Sequence, residues 1–276
     1  MGGFDLSQLA GLLAILLAVG GVAGVIAGLL GVGGGIVLVP AFYYTFSSLG
    51  FGGGQLMQIC VATSLATIVF TSIRSVQSHH KKGAVDWDIL KGWAPGIIVG
   101  AVTGVLVARG LKSETLTMIF GVLGMLVGLY MAFGKSSWRI GDQMPGIVGR
   151  SILSPAVGFL SVLMGIGGGS FGVPIMTLFG RPIHRAVATA AGFGLIIAVP
   201  SVIGFLLTGH EVTGKPPFTV GYVNLVAFVI VVSMTLITAP WGVKLAHRMD
   251  PKPLKFAFAI FLILVALNML RKAAWG

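Results

Sequence analysis

Apolar residues recur in long runs along the whole chain, and short connections between the runs hold nearly all of the charge. Many runs approach the ~20 residues a helix needs to cross a bilayer, so the pattern places the core inside a membrane rather than in an aqueous domain with one anchor. It predicts ten helical segments, at about 9–30, 34–49, 56–74, 91–109, 114–133, 147–164, 168–180, 186–208, 221–244 and 254–271. The second and seventh are short. The fold class that follows is an all-α integral membrane protein.

The pattern repeats internally. Gly31-Val32-Gly33-Gly34-Gly35 through Val39-Pro40 returns as Gly165-Ile166-Gly167-Gly168-Gly169 through Val173-Pro174, and each copy follows an apolar helix. Val61-Ala62-Thr63 matches Val187-Ala188-Thr189, while Gly104 and Leu116 match Gly242 and Leu254. Two five-segment units are therefore expected: an N-terminal repeat over 1–134, a loop over 135–146 and a C-terminal repeat over 147–276.

Composition agrees with a membrane core, since only 9% of residues are charged against about 25% in a soluble domain. Mean hydropathy is +1.01. The net charge of +11 does not point to nucleic acid, because the 18 Lys and Arg sit in connections, where positive-inside bias puts them. Their distribution bears on the relation between the repeats. If all ten segments cross, 13 of the 18 fall on one side: Arg74, Lys81, Lys82, Lys91, Lys135, Arg139, Arg150, Arg181, Arg185, Lys244, Arg248, Lys252 and Lys255. If the short segments are re-entrant, the split is 10 to 8. The first arrangement is favoured, giving two inverted repeats with both termini outside. Met1 to Gln8 carries Asp5 but no Lys or Arg, so it lacks the basic start of a cleaved signal peptide, and the first span is expected to be retained.

Three glycines followed by a proline make a poor straight helix, so a backbone break is expected at each triplet. Such breaks are tolerated in lipid only when buried in protein or lining a wet cavity, and N–H groups freed at the start of the next half-helix form an anion site. Paired breaks at matching positions of inverted repeats are the usual sequence pointer to a transporter's binding site. Neither copy is a nucleotide loop, because Ile36 and Ser170 replace the last glycine and no Lys-Ser/Thr pair follows. An enzyme is not expected, as the chain lacks HExxH, GxSxG, a cysteine pair or a mid-membrane carboxylate pair. The lone Cys60 excludes an internal disulfide and a multi-cysteine metal site, and no metal or cofactor is expected.

Leu30-Gly31-Val32-Gly33-Gly34-Gly35 with Pro40, the second copy with Pro174, Ala62-Thr63-Ser64, Ala188-Thr189 and the loop His80-Lys81-Lys82-Gly83-Ala84-Val85-Asp86-Trp87 together resemble the TauE/SafE sulfite exporter family. The resemblance covers almost the entire chain. It implies a multi-pass protein of the cell inner membrane that moves sulfite, sulfonates or related small sulfur anions, here expected as an exporter working by alternating access. Carried onto this chain, the amides of Gly33, Gly34 and Gly35 and of Gly167, Gly168 and Gly169 form the anion cradle. Ser170 adds a hydroxyl that Ile36 cannot match, and Thr63, Ser64 and Thr189 complete an oxyanion shell, unless they bond their own backbone or a neighbouring helix. Gln58, His184, Arg185 and Arg74 are candidates for a vestibule or gate, with topology-setting arginines as the plainer alternative.

All seven acidic residues fall in connections or at helix ends, which argues against a buried carboxylate proton relay. The partners expected are a small anion and the lipid bilayer, without nucleic acid; a homo-oligomer is left open. The competing function is a membrane scaffold in which the glycines serve packing only.

Overall fold

A computed structural model describes residues 6–30, 34–51, 53–134, 138–209, 214–246 and 251–275. Among them are ten helices: α1 (Leu6–Leu30), α2 (Gly35–Ser48), α3 (Leu56–His80), α4 (Trp87–Gly110), α5 (Ser113–Phe133), α6 (Ile147–Met164), α7 (Gly169–Leu178), α8 (Ile183–Leu207), α9 (Leu225–Ala246) and α10 (Pro251–Trp275). All ten expected segments are present. The main difference lies before α9, where a two-stranded hairpin, β1 (Thr219–Val220) and β2 (Val223–Asn224), places its turn and second strand at positions expected to be helical. The helix starts only at Leu225 because the Asn224 side chain accepts the Ala227 N–H at 2.9 Å and caps it. α4 likewise starts four residues early, with the Asp86 carboxylate accepting the Ile89 N–H.

Six of the described helices are long and apolar enough to cross a membrane. α3 is the centre of the bundle. Its apolar stretch is 83% buried, against 39–50% for the other spans, whose remaining faces carry exposed side chains such as Val99, Leu126 and Val229. In lipid, apolar burial does not drive helices together, so close packing must hold them. Small residues supply it. Gly96, Gly100 and Gly104 let α6 approach α4, Gly20, Gly24 and Gly28 let α9 approach α1, and Gly121 and Gly128 let α10 approach α5.

These contacts also set directions. Gly20 faces Val231 and Met234 while Gly28 faces Ala239 and Val243, so α1 and α9 run parallel. Gly92 meets Arg150 and Gly104 meets Val162, so α4 and α6 run parallel as well. Gly121 meets Leu270 and Gly128 meets Ile263, making α5 and α10 antiparallel. Asp86, just past the end of α3, bonds Thr189 near the start of α8, and Asn224, past the end of α8, bonds Thr63 near the start of α3. α3 and α8 are therefore antiparallel. With the end of the bundle where α3 begins called the upper end, α1, α3 and α5 descend while α2 and α4 ascend. Their counterparts α6, α8 and α10 ascend while α7 and α9 descend. Each helix of the second half opposes its counterpart, which is the inverted relation expected from the charge distribution.

At ~1.5 Å per residue, α2 is only about 21 Å long, less than the ~30 Å hydrocarbon core. It starts beside Ala23 of α1, about 10 Å back from the end of that helix at Leu30.

Candidate functional site

The two glycine breaks meet in the buried interior. Gly34 is the N-cap of α2 with φ 74° and ψ −10°, a left-handed conformation that glycine adopts without strain. A Cβ there would also lie 2.9 Å from the Ala23 carbonyl oxygen. Gly35 packs on the other break: a Cβ at this position would strike the Gly165 carbonyl and stand 2.9 Å from Ile166 Cα. Gly165 closes α6 with φ 63°, and the Gly165 and Ile166 N–H groups bond back to Val162 and Ser161 carbonyls at 3.0 Å. Gly168 caps α7 and lies against Phe193 and Gly194 of α8. Pro40 and Pro174, which could have been the breaking residues, lie within α2 and α7; the glycines make the breaks.

α2 rises and α7 descends from this point, so both half-helices direct their N-terminal, partially positive ends to the middle of the bundle. The first intrahelical bonds are made by Val37 and Leu38 to the Gly34 carbonyl, and by Gly172 to the Gly168 carbonyl at 2.7 Å. Among the described residues, the N–H groups of Gly35, Ile36, Gly169, Ser170 and Phe171 have no backbone acceptor. The Ser170 hydroxyl, on a residue 4% exposed, has no partner either, nor has that of Ser161 one turn before the second break. A closed polar centre is thus embedded in an apolar bundle. No His, Cys, Asp or Glu cluster fit to hold a metal ion occurs among the described residues.

The other candidates divide by what they touch. Gly33 lies outside the described residues. Gly34, Gly35, Gly167, Gly168, Gly169 and Ser170 are all buried at the breaks. Ser64 donates its hydroxyl to the Gly165 carbonyl at 2.7 Å, so it holds the second break against α3. Thr63 and Thr189 accept backbone N–H groups, from Asn224 at 3.0 Å and Asp86 at 2.9 Å, and so join the repeats. Gln58 directs its amide to the Ala108 and Leu111 carbonyls, at 3.3 and 2.5 Å, and caps the end of α4. Arg74, His184 and Arg185 are exposed toward the lower end of the bundle, away from the breaks.

Two contributors escaped the sequence-based reading, Asp86 and Asn224. The spacing that relates Gly104 to Gly242 also relates Asp86 to Asn224, so the repeat itself carried the signal. The hairpin adds a further link at the upper end, where Tyr222 donates its hydroxyl to Gln55 at 2.9 Å. Burial raises the Tyr222 phenol above its ordinary pKa, with Arg109 opposing, so it remains a donor at neutral pH.

A cavity of about 300 Å³ opens at the upper end, lined among others by Tyr43, Ser47, Glu114, Thr117 and Lys272. The Lys272 ammonium stands 5.2 and 5.0 Å from the ring centres of Tyr43 and Tyr44. Such contacts anchor a helix end at a membrane–water boundary.

Comparison with known proteins accords with this architecture. The family model described as Sulfite exporter TauE/SafE matches residues 16–269. A "Probable membrane transporter protein" of Haemophilus influenzae is 31% identical over 94% of this chain and 98% of its own length. Proteins given the same description in Methanocaldococcus jannaschii and Bacillus subtilis are 28% and 26% identical, over 94% and 93% of this chain and 96% of each relative. No solved structure matches. A ten-helix membrane bundle matched from its first helix to its last by one family model and by full-length relatives is a member of the TauE/SafE family of membrane transporters.

Proposed function

We propose that this transporter exports a small sulfur oxyanion or organosulfonate, sulfite first among them, across the cell inner membrane by alternating access. The repeats over 1–134 and 147–276 are its two moving units. The anion is held between the N-termini of α2 and α7 by the amides at Gly35, Ile36, Gly169, Ser170 and Phe171 and by the Ser170 hydroxyl. One observation carries this: two half-helix N-termini, both capped by glycine, meet in the buried centre, where the first N–H groups find no backbone acceptor among the described residues. Helix N-termini favour anions, and each exposed amide is a ready donor to an oxyanion. A scaffold held together only by glycine packing has no use for unpaired hydroxyls at Ser161 and Ser170, whose burial is unfavourable without a partner.

With the more basic lower end in the cytoplasm, an inside-negative potential drives the anion outward. One charge crossing 100 mV is worth about 2.3 kcal/mol, or roughly fiftyfold in concentration, so export needs no coupling ion. Efflux from proteoliposomes tests the proposal, with sulfite, thiosulfate, sulfate and small sulfonates compared with and without a pH gradient. Gly34→Leu and Gly168→Leu, whose side chains would strike Ala23 and Phe193, are expected to abolish flux. Undiminished sulfite efflux in the double variant would refute the site; absence of efflux for every anion in the unaltered protein would refute the substrate class.

A further inference from the structure

The interface between the repeats contains a reciprocal pair of bonds. Asp86 caps α4 with its carboxylate, at 3.2 Å from the Ile89 nitrogen, and gives its own N–H to Thr189 of the other repeat. Asn224 caps α9 with its side-chain oxygen and gives its own N–H to Thr63 of the first repeat. Each cap residue thus starts a helix of one repeat and ties that start to the central helix of the other. Because α3 and α8 are antiparallel, the two ties lie at opposite ends of the bundle. The breaks lie between them: a Cβ on Gly35 would meet Ile68 of α3, and Gly168 packs on Phe193 and Gly194 of α8.

We infer that Thr189–Asp86 and Thr63–Asn224 are the lower and upper gates of the transport path, each broken in turn while the other stays closed. The inference rests on alternating access. Its chemistry is that of a short, reversible latch. A hydroxyl accepting one N–H is held when the repeats are apposed and is replaced by water when they part, at a small net difference in free energy. The two latches are unequal. The upper one is reinforced by the Tyr222–Gln55 bond between the repeats and by the hairpin, in which the Asn224 amide donates to the Pro217 carbonyl and the Thr219 hydroxyl at 2.9 Å. Around the lower one, the indole of Trp87 donates to His80 at 3.3 Å within the first repeat, beside the Thr189–Asp86 bond between the repeats.

The single buried Cys60 makes this testable by thiol labelling. In a Cys60→Ala background, Ser75→Cys reports on the lower end of α3 and Ser201→Cys on the upper end of α8; both serines are buried, at matching places in the repeats. A membrane-impermeant maleimide is applied to proteoliposomes from each side in turn. Thr189→Val, which keeps the shape but loses the acceptor, is expected to raise Ser75→Cys labelling from the lower face about fivefold, with Ser201→Cys labelling unchanged or reduced. Thr63→Val is expected to do the reverse. Thr189→Ser and Thr63→Ser, which keep the hydroxyl, restore the unaltered rates. Equal gains at both reporters would mean general loosening and would overturn the inference, as would no change at either. Labelling needs no substrate, so the gates can stand even if sulfite flux is absent, and can fall even if flux is present.

Discussion

Gly35→Ala is the most direct probe of the contact between the breaks. The added methyl carbon would stand 2.9 Å from Ile166 Cα, where ordinary contact begins at 3.4 Å, and would collide with the Gly165 carbonyl oxygen. Ile68 Cδ1, at 3.0 Å, can rotate aside; the two backbone atoms cannot. The breaks must separate by at least 0.5 Å, the gap between those two distances. Overpacking of this kind costs about 1–3 kcal/mol. The same movement stretches the bond from Ser64 to the Gly165 carbonyl and opens the spacing of the amides at α2 and α7. Loss of one hydrogen bond to a charged ligand corresponds to about 1.5–3 kcal/mol, so sulfite efflux is expected to fall by tenfold or more. The thermal midpoint of the solubilised protein is expected to drop by about 3–8 °C. Gly110→Ala, at a position with open space around it, serves as the control and should alter neither quantity. Unchanged melting and unchanged efflux in Gly35→Ala would show that the two breaks do not touch, and the site would fail with them.

Ser170→Ala separates binding from stability: removing a buried hydroxyl without a partner should leave the melting temperature unchanged or slightly raised, while sulfite binding weakens about five- to tenfold in a titration. Gln58→Leu should show the opposite split. It leaves the Ala108 and Leu111 carbonyls without their amide donor, which is expected to destabilise the protein by about 1–3 kcal/mol in denaturant or heat, with no change in apparent sulfite affinity in the fraction that remains folded.

Much of the fold was legible because lipid removes the alternatives. A chain with no water to satisfy its backbone must satisfy it locally, so long apolar runs become helices and their number and order can be read directly. Glycine at small-xxx-small spacing marks close helix contacts for the same reason, and Gly100 and Gly24 are found at such contacts. The glycine triplets announced breaks because no side chain there can defend a helix. Charge in the connections indicated inversion, which the antiparallel α3–α8 and α5–α10 pairs display.

Partners distant along the chain were not legible in this way. A threonine hydroxyl within an apolar helix has a local option, a carbonyl of its own preceding turn, and Thr67 and Thr71 take it. Nothing local distinguishes them from Thr63 and Thr189, which accept N–H groups 161 and 103 positions away. That choice exists only once α8 lies antiparallel to α3 and each brings the start of the following helix within reach of the other. The partners of Gln58 were hidden for the same reason, since the end of α4 arrives beside it only in the folded bundle. The helices, the duplication and the places where the backbone breaks follow from residue order alone, because local hydrogen bonding and the bilayer decide those. The meeting of the two breaks, the unpaired hydroxyls around them and the reciprocal ties between the repeats were decided by tertiary structure, because each depends on which surfaces close packing brings together.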